Sequence, residues 1–292
     1  MAHKLLSVNS LQVGRTVDIE DNIIHYAESE GQDCILLLHG LGYSMYSVRE
    51  LYNEFADAGY HAIALDLPGC GYSTLAPHHR ASTDYIAYLL REFLRGRDIQ
   101  SVHIFGSAEG GVYAMRLAQM YPDMVKSLSL ASPGSLTIHY PVFYRALPSA
   151  ILGEIIMRFL SRRHIEKLLE HAYFDKTSIS PAVQRQVYQP FERIQTRLGL
   201  VYMLRDYNDA IVFLNIRKLR CPVLLLWGEC DQLHPPNMAE TYLKRLDGCE
   251  YEHLRNTGHL LHEERPREVA SRILEFIAAN TAAPPGDEGK EP

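Results

Sequence analysis

Short apolar runs alternate with longer helical patterns along most of this chain of 292 residues. Each apolar run is too short for a helix, and most are continuous, as in strands that are buried on both faces. A hairpin around the polar turn Glu20-Asp21-Asn22 precedes them. The alternation predicts an α/β fold with a mostly parallel, doubly wound sheet. The predicted strands are 11–19, 23–28, 34–38, 62–65, 102–105, 125–130, 223–227 and 251–254, with further helices at 47–58, 83–94 and 266–278.

One segment, from about 135 to 218, interrupts this alternation with helices alone. We interpret it as a helical cap inserted into an α/β core that consists of residues 1–134 and 219–280. Most of its aromatic side chains are expected to pack the cap onto the core, and the remainder to line an apolar pocket. The last stretch, 281–292, is rich in Pro, Gly and charge and is predicted to be disordered. The predicted cap helices are 149–160, 162–173, 181–188 and 199–214.

A glycine-rich turn, residues 105–111, joins an apolar strand to the next helix. A tight turn of this kind needs small residues two positions before and two positions after its centre. Gly106 and Gly110 therefore place the centre at Ala108. Centring the turn on Ser107 would put bulky residues at the crowded positions and aim its hydroxyl elsewhere. Ser107 is thus a poor substitute for a reacting group at position 108.

Three other polar motifs follow predicted strands. His39-Gly40-Leu41-Gly42 comes directly after the strand 34–38. Asp231 ends the polar turn after 223–227, and His259 closes Asn256-Thr257-Gly258-His259 after the last strand. Positions 108, 231 and 259 thus all come after predicted strands. The turn Asp66 to Ser73, with two glycines, is assigned a structural role.

On these motifs, residues 17–279 resemble the α/β-hydrolase superfamily, in its capped, esterase- or lipase-like serine-hydrolase branch. The resemblance implies that position 108 is the nucleophile position, that Asp231 is the acid and that His259 is the base. It also implies an oxyanion hole formed by the backbone N–H groups of Leu41 and Glu109. The implied reaction is acyl transfer through a covalent intermediate on a serine. Alanine at position 108 lacks the atom that attacks.

Three interpretations of Ala108 remain open. In the first, the chain is a serine hydrolase inactivated by replacement of serine with alanine, which leaves substrate binding intact. In the second, it is a natural non-catalytic binding or sensor protein of the same fold. In the third, the His259 and Asp231 dyad supports catalysis without serine, as in cofactor-free dioxygenases or lyases that resemble this fold. For the first interpretation we favour ester hydrolysis, with lactone, amide, thioester or carbon–carbon bond cleavage also open.

The remaining polar residues are weaker candidates for a role in catalysis or binding. For Glu109 we expect the backbone N–H to matter more than the carboxylate, although a carboxylate there could contact the substrate or the cap. His262 lies three residues after His259, but no Cys or carboxylate cluster completes a metal site. The glycine-rich turns lack the following Lys-Ser or Lys-Thr of a phosphate loop. We therefore expect neither a metal nor a cofactor.

The composition of the chain limits the classes of partner that we expect it to bind. A net charge of −6 disfavours a nucleic-acid or anionic-membrane partner, because both need a concentrated basic face. No apolar run suits a secretory signal or a membrane span, and the five cysteines show no paired spacing. The expectation is a cytoplasmic protein that takes a small, partly apolar substrate. The oligomeric state is not indicated.

Overall fold

The computed structural model describes residues 14–76, 78–134 and 149–281. These residues form an eight-stranded sheet in the order β1-β2-β4-β3-β5-β6-β7-β8. The first two strands form an antiparallel hairpin, β2 also pairs antiparallel with β4, and the remaining strands are parallel. The predicted α/β fold is confirmed. The strands are β1 Arg15–Ile19, β2 Asn22–Glu28, β3 Cys34–Leu38, β4 His61–Leu65, β5 Val102–Ser107, β6 Val125–Ala131, β7 Val223–Gly228 and β8 Glu250–Leu254.

Helices connect the parallel strands. The predicted helix at 47–58 begins later than expected, at Arg49, because a short 3₁₀ turn, Met45–Val48, precedes it. The helix at 83 begins as predicted, since the Ser82 side chain accepts a hydrogen bond from the Tyr85 N–H. The helices of this layer are α1 Arg49–Asp57, α2 Thr83–Arg95, α3 Glu109–Met120, α9 Ala239–Leu243, α10 Leu261–Glu264 and α11 Pro266–Thr281, with α4 to α8 lying between β6 and β7.

The core is centred on the parallel strands. Every residue of β3, β5 and β7 is buried, since helices cover both faces of a parallel sheet. The continuous apolar sequences of these strands are the expected consequence. Within the described residues, no helix is long and apolar enough to cross a membrane.

Where the structure describes it, the insertion between β6 and β7 consists of helices joined by turns, without a strand. The predicted helix 199–214 was wrong as a single element, because the backbone turns at Tyr207 and separates two helices. Residues 135–148 of the predicted cap, with three of its aromatic side chains, lie outside the described residues. So do 282–292, whereas Thr281 of the predicted tail ends α11. The inserted helices are α4 Ala150–Arg158, α5 Arg162–Ala172, α6 Pro181–Tyr188, α7 Ile194–Asp206 and α8 Ala210–Leu214.

Candidate active site

A strained turn joins β5 to α3 at the predicted position. Ala108 has φ 48° and ψ −117°, a conformation that side-chain-bearing residues rarely adopt. Holding such a residue there costs about 1–3 kcal/mol, which the surrounding structure must offset. Ala108 is buried, and its side chain lines a cavity beneath the inserted helices. The backbone therefore has the geometry of an elbow that presents one side chain to a pocket.

Close backbone approaches explain the two glycines around Ala108. A β-carbon on Gly106 would lie 2.6 Å from the Gly111 Cα, and one on Gly110 would lie 2.5 Å from the His39 carbonyl oxygen. Neither distance leaves room for a side chain. Ser107 ends β5 in a buried position, and its hydroxyl makes no hydrogen bond within the part of the chain that the structure describes.

Asp231 and His259 come together as a buried pair. His259 Nδ1 lies 2.8 Å from Asp231 Oδ2, although 28 residues separate them in the sequence. The other carboxylate oxygen accepts hydrogen bonds from the backbone N–H groups of Leu233, at 2.9 Å, and His234, at 2.8 Å. Since a carboxylate only accepts, Nδ1 is the donor. In the neutral ring, the other nitrogen, Nε2, can therefore accept a proton.

Charge interactions keep this pair ionisable despite its burial. Burial raises the pKa of Asp231, but the charge and hydrogen bond of His259 outweigh it, so the net pKa is below its ordinary value. Burial likewise lowers the pKa of His259, yet Asp231 and then Glu109 raise it above its ordinary value. The dyad thus favours a carboxylate beside a readily protonated imidazole.

His234 is a neighbour of the dyad that sequence reasoning missed. Its ring packs edge-on against His259, with the ring centroids 4.7 Å apart. Its Nδ1 lies 2.7 Å from the Ser132 carbonyl oxygen, which fixes the orientation of the ring. The sequence signal that could have found it is its position three residues after Asp231. His234 therefore restrains both the acid, through its backbone N–H, and the base, through ring packing.

The loop after β3 lies against the elbow, and its Leu41 N–H contacts a side chain. This N–H donates to Oε2 of Glu109 at 3.0 Å. The backbone N–H of Glu109 also stabilises its own carboxylate. The Leu41 N–H, one of the two backbone groups that the resemblance assigns to an oxyanion hole, is thus engaged by a buried carboxylate. The sequence did not predict this contact.

The same loop is tied to its surroundings by His39. Its Nδ1 lies 2.7 Å from the Gly40 carbonyl oxygen, and its Nε2 accepts the N–H of Leu67 at 3.0 Å. With both ring nitrogens engaged in backbone contacts, His39 orients the loop. The sequence analysis assigns a structural role to the nearby turn that begins at Asp66. In the structure, the Asp66 carboxylate accepts hydrogen bonds from the backbone N–H groups of Met45 and Tyr72.

The ionisation of Glu109 is shifted into the neutral range. Burial raises its pKa to about 7, although hydrogen bonds from its own backbone and from Leu41, and the charge of His259, act in the opposite direction. Asp209 adds to the rise. A carboxyl group that changes charge near neutral pH therefore lies beside the imidazole.

An apolar cavity extends from Ala108 to the inserted helices. Six aliphatic side chains from the insertion line it, together with residues of the elbow and of the loop after β3. Among the predicted cap aromatics that the structure describes, Phe191 lines this cavity, whereas the hydroxyl groups of Tyr173 and Tyr207 donate to protein oxygens. The aliphatic residues from the insertion are Met157, Leu160, Ile165, Leu168, Leu200 and Leu204.

Comparisons with known sequences agree with this architecture. The model of a family described as "Alpha/beta hydrolase family" matches residues 35–272. The chain is 26% identical over 263 residues to the uncharacterized hydrolase YugF of Bacillus subtilis, and the alignment covers 90% of this chain and 96% of that protein. It is 25% identical over 258 residues to a human monoacylglycerol lipase, with 84% and 75% covered.

Solved structures show the same fold. A meta-cleavage product hydrolase of Pseudomonas fluorescens, in a serine-to-alanine mutant complexed with acetates, has a TM-score of 0.78 at 18% identity, with 91% and 98% of the two chains covered. A thermophilic esterase of Thermogutta terrifontis has a TM-score of 0.76 at 19% identity, with 91% and 97% covered. At these identities the likeness concerns the fold alone.

Proposed function

The chain belongs to the alpha/beta hydrolase family, and on that premise we propose that its site is that of a serine-type hydrolase of carboxylic esters, inactivated by alanine at position 108. One observation carries the proposal: Ala108 occupies a strained elbow and lines the same cavity as His259, which is paired with the buried Asp231. The elbow is costly to hold, and it positions only a methyl group. Replacement of a serine at an otherwise complete site accounts for both facts.

The mechanism that we propose for the serine form follows from the dyad. A serine hydroxyl at position 108 would attack the carbonyl carbon while His259 Nε2 takes its proton, and Asp231 would stabilise the resulting imidazolium. The alcohol would leave with that proton, and a water molecule activated by His259 would then release the acid. In the present chain no bond to the carbonyl carbon can form. Binding is retained, because alanine is only one oxygen smaller than serine.

The cavity wall supports a partly apolar small-molecule substrate. The inserted helices supply aliphatic side chains above Ala108, and we propose that they act as a cap over the site. Such a wall favours an alkyl or acyl chain, since each buried methylene contributes about 0.8 kcal/mol. One relative is named a monoacylglycerol lipase, and a substrate with an acyl chain is consistent with that name.

The test is restoration of the nucleophile. Hydrolysis of p-nitrophenyl acetate, butyrate and octanoate is measured for the unaltered chain and for Ala108→Ser, together with labelling by a fluorophosphonate that reacts with activated serines. Because Glu109 engages the Leu41 N–H, Ala108→Ser/Glu109→Leu is measured in parallel. We expect turnover and a single label at position 108 only in the serine variants.

Two controls separate this result from background reactivity. Ser107→Ala in the Ala108→Ser background should leave turnover unchanged, because Ser107 is not the proposed nucleophile. Asp231→Asn in that background should lower kcat by about 10⁴-fold, as loss of the acid does in serine proteases. The proposal fails if both serine variants neither hydrolyse any ester nor take up the label.

A non-catalytic binding protein is the second candidate, and the Glu109 contact is the observation that favours it. A charged carboxylate on the Leu41 amide is unfavourable for a site that must stabilise an oxyanion there. In that case both serine variants would be inert, and the unaltered chain would bind an apolar ligand tightly. Oxygen uptake with an aromatic substrate would instead indicate a dyad enzyme.

A further inference from the structure

The Leu41 N–H, which is expected to stabilise a substrate oxygen, donates instead to a carboxylate of the protein itself. We propose that Glu109 is a gating residue: its carboxylate occupies the oxyanion hole from within and must leave before a carbonyl oxygen can bind there. The inference rests on the proposed function in one respect, because it takes the Leu41 and Glu109 amides as the place where substrate oxygen binds. The Glu109 carboxylate would be a second obstacle to catalysis, separate from the replacement of serine by alanine at position 108.

The positions of the atoms support a direct conflict with substrate. A β-carbon added to Gly40 would lie 3.2 Å from the Ala108 Cβ and 3.4 Å from Oε2 of Glu109. The methyl group and the carboxylate oxygen are thus both next to the same point beside Gly40. A carbonyl whose carbon lies over Ala108 and whose oxygen accepts the Leu41 N–H would overlap with Oε2. Substrate and carboxylate therefore compete for one donor.

The carboxylate of Glu109 is hydrogen-bonded to Leu41 through one of its two oxygens. Both oxygens of Asp66 and both oxygens of Asp231 accept hydrogen bonds. Oε1 of Glu109, in contrast, has no hydrogen-bond partner within the described residues, although it is buried. A buried oxygen without a partner is unfavourable by about 1–3 kcal/mol or more. Glu109 is therefore held on one side only, as expected for a group that is displaced during binding.

Binding of a trifluoromethyl ketone with a hexyl chain tests the gate without any serine. Its hydrate resembles the tetrahedral intermediate, so it needs the oxyanion-hole donors but no nucleophile. Affinities are measured by calorimetry at about pH 8, where the Glu109 carboxyl group is mostly ionised, for the unaltered chain, Glu109→Gln and Glu109→Leu. We expect Glu109→Leu to bind at least about tenfold more tightly, since one such donor is worth about 10²–10³-fold in rate. Glu109→Gln should be intermediate, because its amide oxygen still accepts but carries no charge.

Fluorooctane, which has no oxygen, serves as the matched control ligand. A larger apolar surface at position 109 would strengthen binding of both ligands equally. If Glu109 is a gating residue, Glu109→Leu should increase the affinity for the ketone and leave the affinity for fluorooctane unchanged. Equal affinities across the three chains, or an equal gain for fluorooctane, would overturn it.

Turnover then separates the gate from the proposed function. In the Ala108→Ser background, Glu109→Leu should raise kcat/KM for p-nitrophenyl butyrate by at least about tenfold. If the ketone result holds and every serine variant is inert, the gate stands as a property of binding and the hydrolase proposal fails. If the serine variants hydrolyse esters equally well with Glu or Leu at position 109, the gate is wrong and the hydrolase proposal stands.

Discussion

The backbone N–H of His259 donates to the carbonyl oxygen of Ala172 at 2.7 Å. Ala172 ends α5, an inserted helix, so the loop that carries the proposed base is hydrogen-bonded to the insertion. Glu264 reinforces this contact, because its two oxygens accept the N–H groups of Gly258, Phe174 and Asp175 at 2.7 to 3.1 Å. The position of the imidazole therefore depends on packing between the insertion and the core.

The first prediction concerns this contact. Glu264→Ala removes an acceptor of three backbone N–H groups and should lower the free energy of unfolding by about 1–3 kcal/mol. It should also speed amide hydrogen exchange at Gly258 and Phe174. Urea denaturation and hydrogen exchange by NMR are the measurements. Glu268→Ala, on an exposed position of α11, is the control and should change stability by less than about 0.5 kcal/mol. Equal effects of the two changes would rule out the role of Glu264.

The second prediction concerns the ionisation of the base. Asp231→Asn removes the main influence that raises the pKa of His259, while burial, which lowers it, remains. The pKa should fall, as expected when a close opposite charge is lost. NMR titration of the His259 ring in the unaltered chain and the variant measures this. Asp33→Asn, which removes a partner of His103, is the control. An unchanged His259 titration in Asp231→Asn would contradict the pairing.

The third prediction concerns stability and pH. Burial raises the pKa of Glu109 from 4.5 to about 7. In that pH interval the folded chain therefore holds a proton that the unfolded chain releases. Its stabilisation is present below pH 4.5 and is lost as the pH rises to about 7. Glu109→Gln does not titrate, so its stability relative to the unaltered chain should increase over this interval by about 3 kcal/mol. Urea unfolding at several pH values measures the difference, and a constant difference would contradict the shift.

The fourth prediction has the opposite sign. His262 is buried against Phe105, and neither ring nitrogen makes a hydrogen bond within the described residues. Burial lowers its pKa from 6.5 to about 3, so stability is lost as the pH falls below 6.5. Between pH 6.5 and about pH 5 this loss amounts to about 2 kcal/mol, and His262→Leu should remove it. Urea unfolding across this range measures the difference, and His253→Leu, at an exposed position, should retain the loss seen in the unaltered chain.

The fifth prediction concerns the contact between the insertion and the turn after β4. A β-carbon on Gly199 of α7 would lie 2.2 Å from the Gly69 carbonyl oxygen. Gly199→Ala should therefore destabilise the protein by about 1–3 kcal/mol, although alanine suits a helix better than glycine. Gly96→Ala is the control, because its β-carbon would lie no closer than 3.4 Å to a neighbour and its φ is −63°. Thermal unfolding should separate the two, and a stabilised Gly199→Ala would disprove the close packing.

Much of the fold and the placement of the candidate site could be predicted from local patterns. Continuous apolar runs identify strands that are buried on both faces, and the predicted strand 34–38 coincides with β3. The two glycines around Ala108 locate the elbow, because the steric requirement acts within a few residues. Asp231 and His259 follow strands that pair in parallel, so their approach to 2.8 Å is consistent with the sequence order.

The direction of the Glu109 carboxylate and the identity of the cavity wall were decided only by the tertiary structure. The sequence places Glu109 directly after the elbow, but its carboxylate reaches an N–H that lies 68 residues earlier in the chain. The contact of His259 with Ala172, and the mainly aliphatic wall of the cavity, likewise join segments that are distant in the sequence. A local pattern determines which backbone conformation a residue adopts. The path of a long side chain depends on which donors and apolar surfaces folding brings next to it, and these come from other elements of the fold.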